Sequence, residues 1–338
     1  MPPAGTPASA PVAKPAGVRE LYSADRWARP PGERGHDMID DDWITLTARA
    51  GRACHDLVGW LMWDAAAIAR YEALGVPNGA GWIVAWRLAP LGAITPAAAA
   101  AATYSIHPDL IAVLMTTYRN VTDEAAISAV RNASIEPGLA DVAPGVGGDI
   151  APLGVDLWRG VDSVHHGARP MFAAHRGETR PDTDRPILSP WLAANCLREL
   201  RGDNHWALCA AADLDEVEVG LLNSAMIDVE EYGGEEWIAR SRGNDDGAIA
   251  RGWDRLEAKG LADDRALNDE GRRFRRRLER RTDELTAPAW QEVGREATQA
   301  FCRAVEPHHE SILARIDATA GPRWMPALRT AGPPGGAD

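Results

Sequence analysis

The chain has 338 residues, of which 45% are hydrophobic and 25% are charged, as is ordinary for a globular protein long enough for two domains. Its formal net charge of −13 opposes contact with polyanions unless a basic patch is set apart from the acidic surface. Apolar runs are too short for the roughly 20 residues of a membrane-spanning helix, so we expect a cytoplasmic protein without a membrane partner. The four cysteines form no CxxC pair, which favours reduced thiols over disulfides.

Predicted helices dominate the chain up to residue 212. Residues 1–42 are rich in proline, glycine and charged residues, and we expect them to be disordered or poorly packed. Residues 141–150 read as a loop or linker, while Pro108 fits the first turn of a helix. Apolar residues at helical spacing predict further helices over residues 45–74, 81–88, 96–104, 157–172 and 190–212. The sequence therefore predicts a helical, ligand-binding lobe over residues 43–212.

The next segment, residues 213–290, has the element order of a winged helix-turn-helix. The predicted elements are helices over residues 215–226, 235–242 and 247–259 and wing strands over residues 261–262 and 265–268. Residues 263–264 (Asp-Asp) supply the turn between the strands. Asn268 would then cap a helix that carries the arginine run 272–281.

Beyond this module we predict one closing C-terminal helix over residues 291–330 and a disordered tail over residues 331–338. The predicted fold class is therefore mainly α. It combines a helical N-terminal lobe with a C-terminal winged helix-turn-helix that has a small β-hairpin wing.

Two short motifs flank the predicted hairpin, LEAKGL at residues 256–261 and LNDEG at residues 267–271. Together they resemble the winged-helix domain of MarR-type regulators. The resemblance implies that the second helix of the pair enters the major groove of DNA while the wing approaches the phosphate backbone. On that basis the candidate DNA contacts are Arg251, Arg255 and Lys259.

Other motifs are spread over residues 50–300. They are WRLAPLG (86–92), IHP (106–108), GARP (167–170), LRELRGDNH (197–205), EW (236–237), TDEL (282–285) and PAW (288–290). These motifs resemble an actinobacterial family designated only as helix-turn-helix proteins. The resemblance implies a helical N-terminal half fused to a winged helix, and it implies no particular activity. The chain departs from the family pattern at Asn204-His205-Trp206, where a glycine and a small apolar residue more usually flank the histidine.

Charge is segregated in the C-terminal part. Residues 213–246 hold eleven acidic residues and two arginines, whereas residues 251–281 hold eleven basic and seven acidic residues. The arginine run 272–281 indicates either a phosphate-binding stripe or a solvated face that offsets the acidic segment, within one chain or across a homodimer. Asp245 and Asp246 lead into the helix that would read DNA, so net acidity disfavours DNA as a partner without excluding it.

The best candidates for a small-molecule site are Arg201, Asp203 and His205, which interrupt an otherwise apolar helix. Arg201 and His205 are four residues apart and share a helix face. They either line a cavity for an anionic or polar ligand or satisfy hydrogen bonds at a helix interface. Trp82 and Trp86 fit an aromatic ligand pocket, but they are also ordinary core residues, which is the interpretation we favour.

His55 and His107 are further ligand-binding candidates, since each lies near a predicted apolar helix. With His205 they would supply imidazoles to one pocket, where a metal or haem site is the further alternative. None of His55, His107 and His205 lies in an HxxxH or HxxE spacing, so we assign no metal. The cofactor stays unidentified.

Two functions remain open from the sequence. The first is a small-molecule-binding winged-helix protein, in its specific form a ligand-responsive transcriptional regulator. The alternative is an enzyme of actinobacterial secondary metabolism with a pocket around His205, in which the winged helix is only structural. The sequence contains no GxSxG, P-loop or HExxH motif, so it assigns no reaction.

Overall fold

A computed structural model describes residues 40–77, 82–181 and 185–329, without the side chains of residues 82–84. Its described part is mainly α-helical and contains one two-stranded antiparallel sheet. Most of the predicted N-terminal segment and the predicted tail lie outside the described residues. The first helix begins at Asp41, slightly earlier than the sequence indicated.

The first part of the described chain is built from helices α1 to α10 and short 3-10 turns. The helices are α1 (Asp41–Gly59), α2 (Ala65–Ala73), α3 (Trp82–Leu88), α4 (Pro96–Thr103), α5 (Pro108–Arg119), α6 (Glu124–Val142), α7 (Val146–Ile150), α8 (Gly154–Asp162), α9 (Pro170–Arg176) and α10 (Leu188–Ala211). The turns are Trp60–Trp63, Ala89–Leu91 and Ala151–Leu153.

The second part contains the hairpin and the longest described helix. Its elements are α11 (Glu216–Leu222), α12 (Val229–Tyr232), α13 (Trp237–Ser241), α14 (Asp246–Ala258), β1 (Ala262–Asp263), β2 (Ala266–Leu267), α15 (Asp269–Val293), α16 (Arg295–Val305), α17 (His309–Ala320) and α18 (Pro326–Arg329). Two more 3-10 turns are Asn223–Met226 and Glu306–His308.

Several helices begin at residues whose side chains cap free backbone N–H groups. Asp123 accepts from Ala126 N at the start of α6. At α11, Asp215 and Glu218 form a reciprocal capping box at the start of the helix predicted over residues 215–226. Because such caps depend on residues adjacent in sequence, these helix starts could be predicted from the sequence.

Three predicted boundaries are wrong, each for a backbone reason. The predicted loop 141–150 contains the end of α6 and all of α7. The predicted helix 157–172 is divided into α8 and α9, because Arg169 precedes Pro170 and a proline disfavours helical backbone at the residue before it. The predicted closing helix 291–330 is divided: Gly294, with φ at 95°, ends α15, the 3-10 turn Glu306–His308 separates α16 from α17, and Gly321, with φ at 85°, ends α17.

Two apolar clusters form the core. The larger one joins α1 to α10 with residues from Ala289 onwards, and it includes Trp60, Trp86 and Trp191. The smaller one runs from Cys209 to Leu278 and includes Trp253. Both belong to the compact unit that begins at Asp41, while the domain boundaries after residues 212 and 290 stay predictions.

Helices α10 and α15 each contribute to both apolar clusters and meet through polar side chains between them. We call this contact the polar seam. Its members are Arg201, Asn204 and His205 on α10 and Glu279, Thr282, Asp283 and Thr286 on α15. The seam lies where each helix passes from one cluster to the other, so it joins the clusters by hydrogen bonds rather than by apolar contact.

The four thiols are free and buried, in agreement with the expectation of reduced cysteines. Burial raises the pKa of Cys209 and of Cys302 to about 12. Among the described residues, none of the helices is long and apolar enough to cross a bilayer.

Candidate functional site

Helices α13 and α14 form a helix–turn–helix pair within two residues of the predicted bounds. In the turn, Asn244 Nδ2 donates to Ala239 O at 3.0 Å. Asp245 caps α14 by accepting from Ala248 N at 2.7 Å. The helices are joined by a hydrogen bond of 3.1 Å from Trp253 Nε1 to Glu236 Oε1. The turn is thus held by local polar contacts.

The predicted hairpin is present, with its turn shifted by one residue. Ala262 pairs with Leu267 and Asp263 pairs with Ala266. The two turn residues are Asp264 and Arg265, with φ of 48° and 59°, the backbone of a tight type I′ turn. Arg265 N donates to Glu257 Oε1 of α14 at 3.0 Å, which fixes the hairpin to the helix before it.

Gly271 explains why the hairpin and the next helix can meet. Asn268 caps α15 by accepting from Gly271 N at 3.0 Å, as the sequence indicated. A Cβ on Gly271 would lie 2.1 Å from Leu261 O, which is inside the contact distance of a backbone oxygen. The LNDEG motif therefore combines a helix cap with a required close approach of two backbones.

Of the three predicted DNA contacts, two are engaged by acidic residues of the same chain. Lys259 Nζ lies 2.7 Å from Glu218 Oε1 and also donates to Asp213 O. Arg255 pairs with Asp215 and lies 3.5 Å from Glu218 Oε2. Both side chains line a shallow cleft of about 370 Å³ between α11 and α14. These ion pairs offset the charges that the resemblance assigns to phosphate contact.

The third predicted contact, Arg251, is exposed and has no ion-pair partner among the residues that the structure describes. Its exposed neighbours on α14 include Asp246, Asp254 and Glu257. The solvent-facing side of α14 is therefore more acidic than basic.

The arginine run of α15 presents a different surface. Five of its arginines are exposed at helical spacing on one side, which we call the basic face: Arg273, Arg276, Arg277, Arg280 and Arg281. Their acidic partners are Glu270, Glu284 and Asp41. Arg275, in the same run, points inward to Glu279 and Asn223. Positive charge therefore exceeds negative charge along this side of the helix.

Arg201 and His205 share a face of α10, as predicted, and that face packs on α15. Arg201 Nε donates to Asp283 Oδ1 at 3.0 Å, and its Nη2 pairs with Glu279. Burial opposes the Arg201 charge, but the two carboxylates outweigh burial and raise its pKa. These contacts favour the helix-interface interpretation, while a ligand role for the two side chains stays a prediction.

His205 is buried and neutral near pH 7. Burial lowers its pKa to about 3. The hydroxyl of Thr282 already donates to Leu278 O, so the Nδ1–H of His205 donates to Thr282 Oγ1 at 3.0 Å. An imidazole held in this way is unsuited to transfer protons at neutral pH, and it gives the enzyme alternative no support.

Asp203 lies on another side of α10, and His55 belongs to α1. Asp203 accepts from Phe172 N at 2.8 Å, so it caps the N-terminus of α9 from a distant part of the chain. Burial nevertheless raises the pKa of Asp203 to about 7. His55 accepts from Arg198 Nε at 3.4 Å, and burial with this arginine lowers its pKa well below the usual value.

The remaining candidates have separate surroundings. His107 caps α5 by accepting from Asp109 N at 3.2 Å. Trp86 is fully buried against Trp191, with ring centroids 6.1 Å apart, which favours the core interpretation. Trp82 belongs to α3, but its side chain lies outside the described residues. Within the described chain, no group of three His, Cys, Asp or Glu side chains is placed to hold a metal ion.

A group of donors that the sequence reasoning missed surrounds Gly202. A Cβ on Gly202 would lie 3.9 Å from Arg87 Nη2, Glu199 Oε2 and Trp206 Nε1. Among the described residues, the buried Trp206 Nε1–H has no hydrogen-bond partner. Tyr104 stacks on Trp206 at 5.7 Å, and the next residue, Ser105, accepts from Arg242. Arg242 is close enough to Arg87 for that charge to lower its pKa. We call Arg87 and Trp206, which lie beside Gly202, together with Arg242 the donor cluster.

The sequence held one signal of this cluster. A glycine in the interior of a helix is unfavourable by about 1 kcal/mol relative to alanine. Gly202 within α10 therefore indicates a packing or functional role at this position. The partners could not be read from the sequence, because Arg87 and Arg242 come from elements far from α10 along the chain.

Comparison with known proteins places the module in context. The sequence model of a helix-turn-helix family matches residues 47–319, which is most of the chain. Neither the curated proteins nor the solved structures contain a match. Because this family model covers most of the chain, including the α13–α14 pair, the chain belongs to this helix-turn-helix family.

Proposed function

We propose that the protein is a DNA-binding regulator in which α13, α14, the hairpin and the start of α15 form a winged helix-turn-helix of the MarR type. Membership of a helix-turn-helix family supports this class of function. The observation that carries the proposal is the basic face of α15, a stripe of exposed guanidinium groups on a chain of net charge −13.

The basic face suits phosphate contact better than α14 does. Its arginines span two helical turns, about 12 Å at the rise of an α-helix. The ion pairs that these arginines make are exposed, and exposed pairs contribute little free energy. A DNA phosphate can therefore replace a carboxylate partner at small cost. On α14, by contrast, Arg255 would have to leave the carboxylate of Asp215 and the largely buried Glu218.

The test measures binding of a fluorescent DNA duplex by anisotropy at several salt concentrations. Wild-type protein should bind the region upstream of its own gene, with log Kobs falling against log salt at a slope of about −3 to −4.5 for three to five phosphate contacts. The triple variant R273E/R276E/R277E should bind at least about 100-fold more weakly at low salt, because it reverses three of the contacts.

The matched control is R251E, which reverses an exposed arginine of α14 without touching the basic face. It should retain most of the affinity. If R251E loses binding and the triple variant keeps it, α14 is the DNA-contacting helix and the assignment to α15 is wrong. Absence of salt-sensitive binding by the wild type would contradict DNA binding itself.

A homodimer is the competing use of the same arginines. The basic face of one copy would then meet acidic residues of the segment 213–246 on another. Sedimentation velocity separates the two uses. The homodimer is favoured if the wild type is dimeric and does not bind DNA while the triple variant is monomeric. That result would contradict the proposal of DNA binding.

Small-molecule binding is the second candidate function, and the donor cluster is the observation that favours it. Buried N–H groups are nearly always satisfied in folded proteins, yet Trp206 Nε1 has no partner among the described residues. A ligand bound there would lie beside Arg242, which directly follows α13. The regulator would then be ligand-responsive.

A further inference from the structure

The charges around Gly202 do not balance. Arg87 donates to both oxygens of Glu199 at 2.8 Å, and Arg198 also donates to Glu199 at 2.6 Å. The Glu199 carboxylate therefore serves two guanidinium groups, and Asp203, the residue after Gly202, adds a second carboxylate near Arg87. Burial disfavours the Glu199 carboxylate, but the two arginines outweigh burial and hold its pKa far below the usual range.

Arg242 adds a third guanidinium group to these two carboxylates, and no ion pair among the described residues includes it. Among the described residues its side chain has one hydrogen-bond partner, the hydroxyl of Ser105. Burial, followed by the nearby charge of Arg87, lowers the pKa of Arg242 to about 10, which still leaves it charged at neutral pH. An uncompensated guanidinium in this position is costly unless an anion accompanies it.

Gly202 is partly exposed, and its surroundings are polar. All three neighbours of a Cβ at this position lie at ordinary van der Waals distance, so packing alone does not require a glycine. Two of the three neighbouring atoms, Arg87 Nη2 and Trp206 Nε1, are hydrogen-bond donors. A group that accepts hydrogen bonds and carries negative charge would satisfy both the free indole N–H and the excess charge.

We propose that the donor cluster of Arg87, Trp206 and Arg242 binds an oxyanion, the carboxylate or phosphate group of a small molecule, beside Gly202. This inference rests on the small-molecule binding proposed above, and it specifies the chemical class of the ligand. On one side of the site are α3 and α10, which carry Arg87 and Trp206. On the other side is Arg242, the first residue of the turn between α13 and α14. The bound anion would therefore tie the turn of the helix-turn-helix pair to the helical lobe.

The test measures thermal unfolding of the full chain with inorganic phosphate or acetate added at constant ionic strength. The Tm of wild-type protein should rise in a saturable way, by about 5 °C at high occupancy. A rise with phosphate alone identifies a phosphate group, and a rise with acetate alone identifies a carboxylate. R242Q should lose the response and, without either anion, should be at least as stable as the wild type.

W206F keeps an aromatic ring against Tyr104 but removes the N–H donor together with part of the indole, so the half-saturating anion concentration should rise roughly ten-fold. R240Q is the matched control, because Arg240 is exposed and pairs with Glu236 and Asp246, and its response should equal that of the wild type. An equal Tm rise in wild type, R242Q and W206F, or no rise in the wild type, would overturn the proposal. DNA binding is measured separately, so either proposal can fail alone.

Discussion

His205 shows how burial converts a titratable side chain into a structural one. Its ring packs edge-on against Trp206, with centroids 5.0 Å apart, while Nδ1 donates to Thr282. The neutral imidazole fits this environment, and the protonated one does not, because burial penalises its charge. The consequence is a pH dependence of folding rather than an acid–base function.

The sign of that dependence follows from the two states. The folded pKa of about 3 lies below the ordinary value of 6.5, so the unfolded chain binds a proton more readily. The stabilisation due to neutral His205 is present above pH 6.5 and is lost as the pH falls from 6.5 towards 3. At pH 4.5 the loss is about 2 to 3 kcal/mol of unfolding free energy.

We therefore expect His205→Asn to flatten the pH dependence. Asparagine keeps an N–H donor for Thr282 but does not titrate. Urea unfolding at pH 7 and pH 4.5 should show a smaller loss of free energy in the variant than in the wild type. If both proteins lose the same amount between these pH values, His205 is not responsible for the acid sensitivity.

At the scale of elements, the hairpin and α15 depend on one another. The type I′ turn sets the register of two very short strands, and Asn268 begins α15 directly after β2. Gly271 lets Leu261 O approach the first turn of α15. A short hairpin has little stability alone, so this contact is a main reason that it is ordered.

Gly271→Ala should destabilise the protein by about 1 to 3 kcal/mol, because the new Cβ would overlap a backbone oxygen that cannot rotate away. Gly148→Ala is the control, since a Cβ at that helical position meets no atom within 4 Å. It should be neutral or slightly stabilising. Equal effects of the two substitutions in chemical unfolding would show that the close approach is unimportant.

Sequence patterns predicted the elements whose causes are local. The hairpin, the cap at Asn268 and the α13–α14 pair all follow from residues that are neighbours in the chain. The candidate site was harder to predict, because its decisive contacts are long-range. Arg201 meets Asp283, 82 residues away, and Arg87 meets Glu199, 112 residues away. Periodicity predicted that Arg201 and His205 share a face, but not that α15 covers it.

At the scale of the whole molecule, the polar seam joins the two apolar clusters. Arg201 is central to it, since it pairs with both Glu279 and Asp283. The side chain also fits closely over α1, where a Cβ on Gly51 would come within 3.0 Å of Arg201 Cδ. Loss of Arg201 would leave the buried Asp283 carboxylate without its guanidinium.

Arg201→Ala should reduce the free energy of unfolding by about 3 to 5 kcal/mol, the range for breaking a buried ion pair from one side. Arg240→Ala removes an exposed arginine that also pairs with two carboxylates, and it should change stability by less than about 0.5 kcal/mol. Denaturant unfolding followed by circular dichroism gives both values. A loss below about 1 kcal/mol for Arg201→Ala would mean that the seam does not join the clusters energetically.

The positions of the four thiols make local opening of each apolar cluster measurable. Cys54, Cys196 and Cys302 belong to the larger cluster and Cys209 belongs to the smaller one, and all four are shielded from solvent. Thiolates are the reactive form of cysteine, so an alkylating reagent reaches them only when the surrounding side chains separate. The rate of alkylation at these cysteines therefore reports the opening of each cluster. No labelling site has to be introduced, because each cluster already contains at least one cysteine.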